Sequence, residues 1–365
     1  MEQGGVERGV VEVNRILVAA GWQNVVVSAG GRLVDAIEAE GGRHVCLDVK
    51  SKNPLTYFSR AARLRRVLER ERPDVVCVHS RVPAWLFVWA NRQLRLPWIS
   101  FPHGANSISR YSKVMTYGDL VVTPSRYLAD YLKSAYGLEE SRIRVIPRAI
   151  DREAFDPARL DADFRTAKRA EWGLDGRFVV MGLGRITQLK GYDTLIRATA
   201  LAARDIPNIR TVIVGEAEDL RRDVEASLRA LVTELHMEDR VVFAGNQTRV
   251  AECLSLADVV VSANTRKPEA FGRSMAEALA MGRPVVAAAF GGALDIVEDG
   301  VNGALVDPES GAKGFADALV RVSRQTFGDL RTPALEKFSF DRMAQSSLAV
   351  YRELASLRSS PERHL

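Results

Sequence analysis

A chain of 365 residues exceeds one ordinary hydrophobic core and, at about 100–200 residues per domain, reads as two domains. Its 47% apolar and 27% charged content is that of a soluble globular protein and excludes collagen, coiled coil and disorder. No run approaches the roughly 18–20 apolar residues of a membrane span, and the start MEQGGVERGV carries no basic-then-apolar signal, so a cytoplasmic location is expected. The net charge of +5 is uneven, because residues 1–150 hold 22 Lys+Arg against 14 Asp+Glu while the remainder is slightly acidic. An anionic partner (nucleic acid, a membrane surface or an acidic substrate) would therefore meet the first half.

In chain order, the first feature is a Gly4–Gly5 turn leading into a helix over Val6–Ala20. A doubly wound sheet normally places a buried strand before such a turn, yet only Met1–Gln3 precede it. Either the recorded start is too late or this domain lacks its first strand. An absent central strand leaves unpaired backbone, so a misplaced start or compensation by another segment is expected. Strands follow at Asn24–Ala29, His44–Val49, Val75–His79, Pro97–Phe101, Leu120–Thr123 and Arg144–Pro147. A boundary is expected near Ile150–Trp172, where IPRAIDREAFDPARL mixes prolines and charges. Beyond it, strands are expected at Phe178–Leu183, Arg210–Gly215, Arg240–Gly245, Asp258–Ala263, Pro284–Ala288 and Ala304–Val306, and a last amphipathic helix at Phe340–Leu357.

Runs such as VVCVH, FVVMG and DVVVSA are continuously apolar instead of alternating, as strands covered on both faces require. Strands separated by helical patterns make parallel sheets, so two doubly wound α/β domains in series are expected: 1–150, 151–340, and a terminal helix and tail over 341–365. Cys46, Cys77 and Cys253 are far apart within apolar runs and read as buried hydrophobes, with neither a disulfide framework nor a metal site.

Three clusters could carry chemistry. Pro268-Glu269-Ala270-Phe271-Gly272-Arg273-Ser274-Met275-Ala276-Glu277 follows the strand DVVVSA. Gly272 allows a tight turn, and the helix that begins after it offers N–H groups and a partial positive charge suited to a diphosphate. Glu269 before that helix and Glu277 within it could bind sugar hydroxyls at the two ends of a nucleotide-sugar. Gly184-Arg185…Lys190-Gly191 ends the strand FVVMG, where two fixed cations can neutralise a departing diphosphate in place of a metal ion. The pattern is neither Gly-x-Gly-x-x-Gly nor a Walker loop, which weakens hydride-transfer and nucleoside-triphosphate readings. His103 follows the strand PWIS, at the carboxyl end where α/β sheets bind ligands; His79 also ends a strand.

In this order, together with Gly-Gly-Val-Glu-Arg at 4–8, Ile146-Pro147…Asp151 and Gly291-Gly292…Asn302-Gly303, the sequence resembles the retaining glycosyltransferases of family 4. The resemblance covers nearly all of 4–358 and is most specific over 182–303. It implies the GT-B fold, two Rossmann-like domains facing a cleft, with the terminal helix crossing back to the N-terminal domain. It further implies that Arg185 and Lys190 hold the donor diphosphate, Glu277 the ribose and Glu269 the donor sugar. Gly184 and the backbone of Phe271, Gly272 and Arg273 would meet phosphate or sugar, His103 would lie near the sugar, and Gly4 and Gly5 would let the N-terminal domain approach the diphosphate. Transfer would proceed with retention, without a required metal or other cofactor. The nucleotide-sugar is a substrate, a UDP-sugar being favoured. Ala149 stands where many relatives have Gly.

The segment from Lys52 to Arg72 is rich in arginine, and a helix from about Tyr57 would turn Phe58, Ala61, Leu64, Val67 and Leu68 one way. Its basic face is either simply solvated or meets anionic lipid headgroups or a phosphorylated glycolipid acceptor. Ser51-Lys52-Asn53-Pro54, Ser80-Arg81…Pro83-Ala84-Trp85 and 111–118 are similar to bacterial envelope glycosyltransferases, including lipopolysaccharide-core enzymes. The expected activity is thus hexosyl transfer to a cell-envelope glycan or lipid-linked acceptor, at the inner face of the cytoplasmic membrane. The rivals are a non-catalytic glycan- or nucleotide-binding protein of this fold and a nucleotide-sugar epimerase. Nucleic acid is disfavoured because the basic half lacks an RNA-type aromatic motif.

Overall fold

The computed structural model describes residues 5–217 and 222–358. Gly4 lies outside the described residues. The chain forms two compact units: one runs to Arg148 and includes the segment from Asp341, and the other comprises Ala149–Phe340.

The first unit opens with helix Gly5–Ala19. Its strands are β1 (Val25–Ser28), β2 (Arg43–Cys46), β3 (Val76–Val78), β4 (Trp98–Ser100), β5 (Leu120–Thr123) and β6 (Ile143–Val145). All pair in parallel, in two separate ladders: β1 with β2, and β3-β4-β5-β6. In a doubly wound sheet the first strand occupies the middle, here between β1 and β3. Among the described residues no strand fills that position. Apolar packing bridges the two ladders instead, with Val27 of β1 and Val76 of β3 resting against one cluster that includes Val49, Leu64, Leu68 and Val78.

Local chemistry sets the element ends. Ser125 caps helix Arg126–Tyr136 by accepting from the Leu128 N–H, and Gly137 ends it in the left-handed region at φ 66°. The helix from Phe340 to Arg358 contributes its length from Asp341 onward to this unit. Tyr351 receives a hydrogen bond from the Cys77 thiol on β3 at 3.1 Å and meets Trp22 edge-on at 6.1 Å, while Glu353 pairs with Arg144 of β6 at 2.5 Å.

Two side chains differ from expectation. Cys46 is exposed, because β2 is the outer strand of a two-stranded ladder and ends there; Cys77 is half-buried and Cys253 buried, as small hydrophobes are. Burial pushes the Cys77 thiol up to about 12 despite the Tyr351 hydrogen bond. On helix Tyr57–Glu71 the buried set is Arg60, Ala61, Leu64 and Leu68, and Phe58 is 64% exposed instead of joining them. Arg60 is buried because it binds the turn before its own helix, donating to the Thr56 hydroxyl and the Asn53 carbonyl.

The second unit holds β7 (Phe178–Leu183), β8 (Ile209–Val214), β9 (Val241–Gly245), β10 (Val259–Ser262), β11 (Val285–Ala288) and β12 (Gly303–Val306). They form one parallel sheet in the order β9-β8-β7-β10-β11-β12. Its strands are buried on both faces: Val179, Met181, Val212 and Val260 join the core on one side, and Val180, Ile213, Val259 and Val286 the core on the other. This explains why these runs do not alternate.

Candidate functional site

In the second unit the chain builds outward from β7 in both directions, first to β8 and β9, then to β10, β11 and β12. The reversal lies between β7 and β10, and the carboxyl ends of those two strands open the crevice in which doubly wound sheets bind ligands. The two most promising sequence clusters both sit there. Gly184-Arg185 leaves β7, and the Glu269 loop follows β10.

Close backbone contact holds the two loops together. Gly191 sits at φ 67°, and a Cβ there would fall 1.9 Å from the Ala263 carbonyl oxygen, so only glycine lets the end of the β7 loop lie against the end of β10. Arg266 reinforces the contact, donating to the Gln188 carbonyl at 2.9 Å and to the Asp193 carboxylate at 2.6 Å. The Tyr192 hydroxyl donates to the Gly184 carbonyl at 2.7 Å. Burial, and secondarily the Glu269 charge, push the Tyr192 phenol far above its ordinary range, so it remains a neutral donor.

Across this junction the Lys190 ammonium donates to Glu269 Oε1 at 2.5 Å. Residues 79 apart in sequence thus form one charged pair, only partly open to solvent. An ammonium has three donors, so Lys190 can retain Glu269 while turning another N–H to an anion in the crevice. Arg185, exposed on the same loop, adds a second cation.

Gly272, at φ 102°, turns the 268–271 loop into helix Arg273–Ala280. A Cβ on it would meet Met275 Cε at 2.0 Å, and Glu269 Oε2 lies 3.5 Å from the same position. The Gly292 N–H fixes the loop by donating to the Glu269 carbonyl at 2.8 Å. Phe271 turns its ring inward, edge-on to Phe338 at 5.4 Å, so this position offers a ligand its backbone and not its ring. Glu277 is 7% exposed, in the second turn of the same helix, where a carboxylate requires hydrogen-bonding partners. Arg273 begins that helix.

The first unit has a polar cluster of its own at the ends of β3 and β4. Arg148 donates to His103 Nδ1 at 2.9 Å, and His103 Nε2 lies 3.1 Å from His79 Nδ1, with the two imidazoles stacked at 5.3 Å. A guanidinium can only donate, so His103 Nδ1 accepts, its proton sits on Nε2 and passes a hydrogen bond to His79 Nδ1, and the His79 proton sits on Nε2. Burial, with the Arg148 charge, pushes the His79 imidazole down to about 3; burial, then His79 and Arg148, hold His103 well below its ordinary range. Both rings are therefore neutral near pH 7, and both nitrogens of His103 are engaged within this unit. Gly5 is the first residue of helix Gly5–Ala19.

Sequence reasoning did not find Tyr192, Arg266 or Arg148, and it left His79 apart from His103. The only local signal was Tyr192 directly after Lys190-Gly191; the others become visible only through long-range contact.

Residues 164–332 match the family model described as glycosyl transferases group 1, and residues 3–154 the one described as Glycosyltransferase Family 4. A curated D-inositol 3-phosphate glycosyltransferase of Mycobacteroides abscessus is 34% identical over 258 residues, covering 69% of this chain and 55% of that relative. The homologue from Acidothermus cellulolyticus is 32% identical over 275 residues, 72% of this chain and 60% of its own. The chain thus spans little more than half the length of these relatives. A glycosyltransferase structure from Rickettsia africae superposes with a TM-score of 0.85 at 25% identity, covering 97% of both chains. Anabaena HepE, solved in complex with UDP and glucose, superposes at 0.79 over 96% of both chains, with 21% identity, and shares the fold.

Proposed function

We propose, since the chain belongs to glycosyltransferase family 4 and has the two Rossmann-like domains of the GT-B fold, that it transfers a hexose from a UDP-sugar to a hydroxyl of an anionic acceptor, with retention and without a required metal. The observation that carries the reading is the Lys190–Glu269 pair at the β7/β10 reversal. Lys190 and Arg185 neutralise the diphosphate as the bond from the anomeric carbon to phosphate oxygen breaks and the electron pair leaves with the phosphate. Glu269 holds a donor-sugar hydroxyl, Glu277 the ribose, and the first-turn N–H groups after Gly272 meet phosphate. The acceptor oxygen attacks the face from which phosphate departs, and its proton passes to the leaving phosphate oxygen. Glu269 is a positioning group and not a nucleophile.

For the acceptor, the basic first half favours an anionic partner, and the family resemblance favours a cell-envelope glycan or lipid-linked sugar met at the inner face of the cytoplasmic membrane. The inositol-phosphate activity named for the curated relatives supports a second candidate, a phosphorylated polyol, with the same charge logic.

The test is turnover of UDP-sugars with chelator present, in the wild type, Lys190→Ala and Glu269→Ala. Each variant should lose about 100-fold or more in kcat, as removal of one group aimed at developing charge does elsewhere, with an unchanged far-UV spectrum. Full turnover by both variants, or strict dependence on a divalent ion, would overturn the reading.

A further inference from the structure

The geometry points to a docking surface for an anionic lipid bilayer on the first unit, made by a ladder of aromatic rings that begins at Phe58 and passes through Trp89 and Trp85 to Tyr111 and Tyr117. This rests on the membrane-facing part of the function proposed above and locates it.

Three observations carry it. First, large apolar side chains are exposed on the two segments that supply the ladder: Leu55 is 91% exposed and Phe58 64% on one, and Ile108 65% on the other. Among the described residues, the aromatic side chains classed as exposed are Phe58, Tyr111 and Tyr117, all in this region. Packing does not explain Leu55 and Phe58, since helix Tyr57–Glu71 buries Ala61, Leu64 and Leu68 instead.

Second, the rings are contiguous. Phe58 meets Trp89 at 5.8 Å; Trp89 and Trp85 are one turn apart on helix Arg81–Ala90; and Trp85 meets Tyr111 at 6.5 Å and Tyr117 at 6.1 Å. The Trp85 indole N–H donates to the Tyr111 carbonyl, so its polar edge is satisfied while the ring stays in the strip. Indole and phenol rings with one wet end suit the headgroup layer of a bilayer.

Third, the charge is of one sign. No Asp or Glu occurs from Lys50 to Leu68 or from Val75 to Gly118, the two segments that supply the ladder. Exposed Lys52, Arg92, Arg110 and Lys113 border it in sequence, and the Arg81 guanidinium lies 5.4 Å from the centre of the Tyr111 ring. An anionic leaflet offers only negative charge and so complements such a rim, and each basic side chain near it strengthens binding about fivefold. No helix among the described residues is long and apolar enough to cross a membrane, so the contact proposed is peripheral.

The experiment is co-sedimentation of the full chain with vesicles of neutral phosphatidylcholine, and with vesicles containing 30% phosphatidylglycerol, at low and high salt. Binding should be at least tenfold stronger to the anionic vesicles and should weaken with salt. The double variant Leu55→Ser/Phe58→Ser should lose tenfold or more of the partition on anionic vesicles, and Arg110→Glu/Lys113→Glu should lose the preference for them. All four positions are exposed, and an unchanged Tm verifies the fold of each variant. Equal binding to both vesicle types, binding to neither, or wild-type partition by the apolar variant would overturn the proposal. So would concentration-dependent dimerisation that the apolar variant abolishes, since a second copy would then cover the strip. The readout is binding, so any of these failures leaves the transferase reading standing; conversely, loss of turnover in Lys190→Ala says nothing about vesicles.

Discussion

In the unit that carries Lys190 and Glu269, six strands pair without a break, and the centre of the sheet, β7 beside β10, lies directly beneath the charged pair. In the unit that carries His103, similar apolar runs pair as two strands and four, and among the described residues no strand joins the two ladders. Strand-forming runs therefore specify strands but not their neighbours. A continuous ladder holds two loop ends together through strand register and the Gly191–Ala263 contact. Where the ladder is split, side-chain packing and the helix beginning at Phe340 take over that role through Tyr351 and Glu353.

Hydrogen exchange offers the strongest test of the difference. Amides of β7 and β10 should exchange only on opening of their whole unit, and those of β1 and β2 about a hundredfold faster or more through local opening; equal protection would mean that the first unit is as cooperative as the second. Substitution of paired glycines comes next. Gly191→Ala meets both the left-handed backbone and the Ala263 carbonyl, and should cost about 2–5 kcal/mol from about 1–2 for the backbone and 1–3 for overpacking. Gly137→Ala in the first unit, at φ 66° with nothing within 4 Å, should cost only the first of these, as read from denaturant midpoints.

A pH titration probes the first unit alone. His79 titrates at about 3 in the folded unit and at 6.5 when unfolded. Between those values the unfolded chain holds the extra proton, so the stability contributed by the neutral ring is complete above pH 6.5 and falls as pH drops toward 3. Lowering pH from 7.5 to 5 should reduce the Tm of the first unit by about 4–8 °C more in the wild type than in His79→Asn, from about 2 kcal/mol of lost stability; identical profiles would place a charged or solvated His79 in the folded state.

Much of the architecture was legible in advance. All twelve expected strands overlap strands of the structure, because short runs rich in β-branched residues and bounded by turn residues favour strands, whereas the equally apolar run at 82–90, with Trp, Leu and Phe, is helix. The positions of Gly184 and Gly272 were legible for the same local reason, since a strand end followed by glycine and a helix-forming run is a turn.

Side-chain direction was not. Phe58 was expected to share a face with Ala61, Leu64, Val67 and Leu68, but periodicity defines a stripe about 100° wide and not its edges, and Phe58 falls outside the buried part of it. Cys46 was expected to be buried from its apolar neighbours, yet it ends an outer strand. By itself the sequence determined the elements, the two α/β units and the loops that bear charge, because these follow from the chain's own short-range periodicity and turn chemistry. Only the tertiary structure decided that Lys190 meets Glu269 and that His103 is held between Arg148 and His79. Those partners are 79, 45 and 24 residues apart, and what brings them together is the register of strands with no direct sequence relation to one another.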